Sequence, residues 1–221
     1  QKAEEAQELL EGKGAGKLKE DHDGKASAYM QIAYCYADFL MEQEKAAVFF
    51  QKSIEHRKLA EKGIDSGDYR TALMELMQCY WRLGNLDGAR ECKERYLESQ
   101  GEFYKECKDL GRSVEELFAG DCSNGRGHAY HLFLMHYYCG EYEEAGKYLE
   151  RMEKSPWCWN CTRKECTEEW ELKGYMALYR GRTQEAIGYF RRAVETSSRG
   201  NEDAEKELRI LGVDLMTLTQ I

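Results

Sequence analysis

Proline is almost missing from this chain: of 221 residues only Pro156 is one. Each interior proline would cost a helix about 3 kcal/mol, so the chain is free to run in long helices. Valine and isoleucine are sparse as well, which leaves little material for strands, whereas Ala, Glu, Lys, Leu and Arg are plentiful. No apolar run approaches the roughly 18 residues of a membrane-spanning helix. The N-terminal QKAEEAQELLEGK lacks the apolar centre of a secretory leader. A soluble, cytoplasmic protein is the expectation. Clustered positive charge is also missing. The formal net charge is -9 and the pI near 5.3, which opposes the counterion release that drives nucleic-acid binding. Neither a nucleic acid nor a membrane is expected as partner.

Catalytic signals are lacking too. There is no G-x-S-x-G and no H-E-x-x-H, and the five histidines form no nucleophile or base arrangement, so the chain reads as a non-enzyme. His136 falls where a packed ring is expected. Gly12-Lys13-Gly14-Ala15-Gly16-Lys17 is one residue short of a phosphate-binding loop and is followed by Leu18 rather than Ser or Thr, which leaves a linker.

What the chain does have is helical self-similarity. In EEWELKGYMALYRGRTQEAIGYFRRAVE, Trp170, Gly174 and Ala177 fall on one helix, Gly181 makes a turn, and Ala186, Phe190 and Ala193 line a second helix. The same frame fits Leu132, His136, Gly140, Tyr142, Ala145 and Leu149, and again Leu76, Tyr80, Gly84, Leu86 and Ala89. A weaker copy keeps Ala33, Ala46, Phe50 and Ser53 but lacks the turn glycine, its turn falling at Met41. These residues resemble the tetratricopeptide repeat, in which small residues let two helices approach and aromatics fill the gap between hairpins. The resemblance covers roughly residues 27–197. It implies an all-α fold, a TPR-like α-solenoid of stacked antiparallel helical hairpins. The turns are further apart than the family's period of about 34 residues, so the helices are longer or extra elements intervene.

The expected organisation is an N-terminal helix (Ala3 to Leu10) and linker over 1–26, the repeat domain over 27–197, and a capping helix within 198–221, from Asn201 to Leu211. An insertion at about 97–125 interrupts the repeats. There the second helix of its hairpin extends through about Leu110, Ser113 and Glu116 make a capping box, and the glycine-rich GDCSNGRG forms a loop.

Nine cysteines, an odd number, suit a reducing compartment. Cys35, Cys79, Cys92, Cys107 and Cys139 sit among apolar helical positions and behave as small hydrophobes. Cys158, Cys161 and Cys166 differ. Their C-x2-C-x4-C spacing lies between two helices, where three thiolates need only one further ligand for a structural zinc, and Cys122, His128 and His131 are the candidates for it. A packed, reduced loop is the alternative. A thiol-disulfide oxidoreductase needs a strand before its CxxC, and none is legible here.

In tetratricopeptide arrays the first helix of each pair lines a concave surface. Transferred by alignment, that rule selects Gln31, Cys35 and Phe39, then Met74, Gln78, Trp81 and Arg82. It continues with Tyr130, Leu134, Tyr137 and Tyr138, and ends on Glu171, Tyr175, Leu178 and Tyr179. The resemblance thus implies an aromatic groove that binds a peptide or protein segment without catalysis. The carboxylate-holding Lys, Asn and Arg set of chaperone-binding members is missing from these positions. The competing readings are rings packed inside a tighter superhelix, a peptide-sensing module of a larger regulator, and a zinc or thiol enzyme centred on the Cys158–Cys166 loop.

Overall fold

The structure, a computed structural model, describes residues 21–60, 63–99, 125–154, 166–197 and 201–213. Among the described residues every regular element is helical. The order is α1 (His22–Tyr34), which runs into a π-helical turn (Cys35–Phe39), then α2 (Gln43–Leu59), a short 3-10 turn (Gly63–Asp65), α3 (Gly67–Arg82) and α4 (Leu86–Glu98). Then come α5 (Gly125–Tyr138), α6 (Tyr142–Lys154), α7 (Thr167–Tyr179), α8 (Thr183–Thr196) and α9 (Glu202–Ile210). None of these helices is long and apolar enough to cross a membrane.

The chain divides into two compact units. The first holds α1 to α4 and residues 138–140; the second holds α5 up to Tyr137 and everything described from Glu141 onward. Within the first, α1 packs on α2, α2 on α3 and α3 on α4. Within the second, α6 packs on α7, α7 on α8 and α8 on α9. Within each unit helices that are neighbours in sequence pack on one another, which is the all-α, solenoid-like arrangement of helical hairpins that was expected.

Four of the turns explain why the hairpins close where they do. Gly84, Gly140 and Gly181 have φ of 73°, 77° and 70°, a left-handed conformation that glycine adopts without steric cost. Each is locked by the same bond from the next residue: Asn85 N to Tyr80 O at 2.8 Å, Glu141 N to His136 O at 2.9 Å and Arg182 N to Ala177 O at 2.9 Å. The first hairpin lacks the glycine and solves the problem differently. Its helix widens, with Leu40 N donating to Cys35 O at 3.1 Å and Glu42 N to Tyr36 O at 2.9 Å, while Met41 takes the left-handed position at φ 55°. An alanine follows each turn at the same place in the second helix, and Ala46, Ala89, Ala145 and Ala186 are all completely buried.

Most of the residues singled out by spacing are buried, while Tyr80, Leu86, Tyr142, Leu149 and Trp170 are half-buried. Phe190 is fully buried and meets Tyr175 edge-on, with ring centroids 5.4 Å apart. A Cβ at Gly174 would come within 2.5 Å of the Phe190 ring, so the small residue there sets how closely α7 and α8 approach. In the first unit Phe50 and Tyr34 meet edge to face, ring centroids 5.4 Å apart, and Ser53 Oγ donates to Ala26 O at 2.8 Å. Arg57 then ties three helices: its guanidinium reaches Asp23 Oδ1 at 2.5 Å, Ser27 Oγ at 2.9 Å and Asp68 Oδ2 at 2.9 Å.

Some boundaries shift. α1 begins at His22 rather than at 27, because the Asp21 side chain accepts from Gly24 N at 2.8 Å and caps it. Gly125 to Gly127, expected in the glycine-rich loop, are helical at the start of α5, and the rest of that loop lies outside the described residues. The helix at Ala3 to Leu10, the extension to Leu110 and the Ser113 capping box lie outside the described residues. At the other end α9 falls where the capping helix was expected, with Asn201 Oδ1 accepting from Ala204 N at 2.9 Å.

Candidate functional site

The residues that the resemblance assigns to a groove separate into two groups by burial. Met74, Trp81, Arg82 and Tyr130 are half-buried, and Tyr179 is 48% exposed. Gln78, Leu134, Tyr137, Tyr138, Glu171 and Tyr175 are buried. The structure therefore corrects the expectation of one open aromatic trough: these six side chains are packed between helices and offer no free surface in this conformation.

In the first unit the buried members support the accessible ones. Gln78 Nε2 donates to Tyr138 Oη at 2.9 Å in the interior. Tyr138 in turn packs against Trp81, centroids 5.5 Å apart, and the Arg82 guanidinium lies 5.4 Å over the Trp81 ring. An indole held between a fixed tyrosine and a cation loses little freedom when something docks on it, which is the property of a binding anchor. Met74 sits on the same helix, partly accessible. Among the exposed large apolar residues, Phe39 at 78%, Leu40 at 52%, Leu83 at 42% and Tyr179 each fall just before a hairpin turn, whereas Val48, Leu59, Ile64 and Ile210 do not.

In the second unit the polar tips of the rings are used internally. Tyr137 Oη donates to Tyr175 O at 2.9 Å, and Tyr130 Oη donates to Glu171 Oε1 at 2.9 Å. Asn201 Nδ2 donates to the other Glu171 oxygen at 3.0 Å, and Tyr175 Oη donates to Glu207 Oε1 at 3.1 Å. Burial pushes the Glu171 carboxyl up to about 8, with the negative charge of Asp203 adding to the rise; the Asn201 and Tyr130 hydrogen bonds oppose it. Tyr142 stacks on Tyr179, centroids 4.2 Å apart, and Tyr179 stays exposed beside it.

His136 is buried, stacked on Tyr148 at 5.4 Å, with Nδ1 2.5 Å from Glu141 Oε2. That is the packed ring its position implied. A cleft of about 290 Å³ between α6, α7 and α8 is lined by Glu153, Lys173, Met176, Arg182, Glu185 and Tyr189 among others. Several of its charges are paired: Lys173 Nζ contacts Glu169 at 2.7 Å and Glu153 at 3.1 Å, and Arg182 contacts Glu185 at 3.4 Å.

The cysteine loop falls almost wholly outside the described residues, which include neither Cys158 nor Cys161 and neither Cys122 nor the His128 side chain. Cys166 is buried at the residue preceding α7, and His131 is exposed on α5. Among the described residues no group of three His, Cys, Asp or Glu is placed to hold a metal. The helical cysteines Cys79, Cys92 and Cys139 are buried and form no disulfide, and burial pushes the Cys92 thiol up to about 12, so it has no thiolate character near neutral pH. No protein-family model matches the chain, and no curated protein matches it significantly.

Proposed function

We propose that this chain is a non-catalytic helical-repeat scaffold that binds a peptide or protein segment through the accessible first-helix residues. In the first unit these are Met74, Trp81 and Arg82; in the second they are Tyr130 and Tyr179. The observation that supports the reading is the Trp81 arrangement, a half-exposed indole held in place by Tyr138, whose hydroxyl is hydrogen-bonded to buried Gln78. The partner's matching feature is an apolar or aromatic side chain that covers the indole, with a carboxylate or carbonyl within reach of Arg82.

Selection of peptides from a displayed library on the intact chain tests this. The expected outcome is a family of sequences sharing an apolar anchor, whose binding weakens by about 1–3 kcal/mol when Trp81 is replaced by alanine. Failure to enrich any peptide family, or enrichment indifferent to both Trp81 and Tyr179, would contradict the proposal. Structural zinc at Cys158, Cys161 and Cys166 is a separate proposal resting on spacing alone, and elemental analysis of protein purified without chelator tests it: about one zinc per chain is expected.

A further inference from the structure

In the first unit α1 and α2 meet in two adjacent rungs, at the end of their hairpin away from the turn. His22, the first residue of α1, faces His56 of α2, and the next residue on each helix makes the second rung, the Asp23 to Arg57 ion pair at 2.5 Å. The two imidazoles approach nitrogen to nitrogen, with Nδ1 to Nδ1 at 3.1 Å and ring centroids 5.4 Å apart. Both rings are half-buried, so solvent reaches them. Two Nδ1 atoms so placed share a single hydrogen: one ring donates from Nδ1, and the other accepts there and keeps its own hydrogen on Nε2.

The spacing also suits an ion. A metal bound at about 2.0–2.1 Å by two imidazole nitrogens sets them about 2.9 Å apart when the bonds are at right angles and about 3.3–3.4 Å apart when they are tetrahedral. The 3.1 Å seen here lies between the two, so a small turn of each ring brings both lone pairs onto one point. The rest of the hairpin holds the pair in place. Arg57 is buried and fixes α1 to α2 through Asp23 and Ser27, one residue along from His56. Tyr29, also buried, stacks on His56 with centroids 5.5 Å apart and planes 15° from parallel. Ligands whose backbone and ring plane are already held lose little freedom on binding.

We propose that His22 and His56 form a two-imidazole site for one divalent transition-metal ion of the nickel, copper or zinc kind, which clips the free ends of α1 and α2 together. The ion replaces the shared hydrogen. The donor ring moves its hydrogen from Nδ1 to Nε2, so both Nδ1 lone pairs bind and no proton leaves a pair of neutral rings. Water completes the coordination, since among the described residues no group of three His, Cys, Asp or Glu is placed to hold a metal. Asp23 is engaged by Arg57; of the other charges acting on His56, Lys25 opposes a cation and Glu55 favours one. The site therefore has the modest affinity of two imidazoles and selects against magnesium and calcium, which take oxygen ligands.

Hydrogen exchange of the full chain with and without about 1 mM nickel(II) reads the clip. Protection of the α1 amides should rise about tenfold, which corresponds to a dissociation constant of about 0.1 mM, and the same concentration of magnesium should leave it unchanged. His22→Gln and His56→Gln should each abolish the rise, whereas His131→Gln, at an exposed histidine of α5, should keep it. Nickel held by cysteines does not depend on His22, so the comparison separates the two. Paramagnetic broadening should reach the His22 and His56 ring signals together at the lowest nickel concentrations. No rise in the parent, an equal rise in His22→Gln, an equal rise with magnesium, or loss of the rise in His131→Gln would overturn the proposal. If His56→Gln loosens α1 without metal, because Tyr29 loses its stacking partner, His22→Gln alone decides.

Discussion

Trp81 in the first unit and Tyr175 in the second both fall on first-helix positions that the repeat alignment turns toward a ligand, yet one is half-exposed and the other has no exposed surface. Both are fixed by neighbours. Trp81 leans on Tyr138 and receives Arg82 over its ring, whereas Tyr175 is held between Tyr137, Phe190 and the Glu207 carboxylate of α9. The difference is the element laid over the ring, not the ring's place on its own helix. A position in a repeat sets which way a side chain points; whether it is available depends on what comes next in the stack.

The largest expected effect comes from breaking the buried side of this comparison. Phe190→Ala should destabilise the second unit by about 3–5 kcal/mol, because it removes a fully buried ring that fills the gap left by Gly174 and supports Tyr175. Urea unfolding with a probe in the second unit reads it. Enlarging Gly174 to alanine acts on the same contact from the other side and should cost about 1–3 kcal/mol by overpacking.

A pH series sharpens the comparison next. The Glu171 carboxyl is raised from 4.5 to about 8 in the folded chain. The folded state therefore binds the proton more tightly than the unfolded one. The stability this contributes is present in full below about pH 4.5 and is lost as the pH rises through about 8. The melting transition of the second unit should fall between pH 5 and pH 9, and Glu171→Gln should remove the part of the fall that Glu171 causes. A melting temperature that rises over this range in the wild type and not in Glu171→Gln would reverse the sign.

The smallest effect concerns the hairpin that lacks its glycine. Met41 sits at φ 55°, where a side chain with a Cβ costs roughly 1–2 kcal/mol relative to glycine. Met41→Gly relieves that strain but frees the unfolded chain, so a net gain of up to about 1 kcal/mol is expected in thermal unfolding of the first unit.

Much of this was written in local sequence. Gly84, Gly140 and Gly181 mark the turns because only a residue without Cβ takes that backbone cheaply, and the buried alanines and Phe190 follow at fixed intervals after them. The repeat frame placed the start at 27, whereas the Asp21 cap sets the first turn of α1 ahead of it. The burial of Gln78, Tyr137, Tyr138, Glu171 and Tyr175 was not legible, since it depends on which helix packs over each one. α9 was recognisable as a polar cap from its Glu and Lys content; that Asn201 and Glu207 would meet Glu171 and Tyr175 is a tertiary fact with no local trace. The first-hairpin π turn is similar, because widening a helix by one residue leaves no spacing mark when the glycine is missing as well.

The division between supporting and presenting rings is tested most directly by one paired measurement, thermal unfolding and peptide binding for Trp81→Ala beside Tyr175→Ala. Trp81→Ala should keep its melting temperature within a few degrees of the parent while losing about 1–3 kcal/mol of binding, and Tyr175→Ala should lose about 3–5 kcal/mol of stability. A Trp81→Ala protein that unfolds early with no specific binding defect would show that this ring only packs, and would contradict the account.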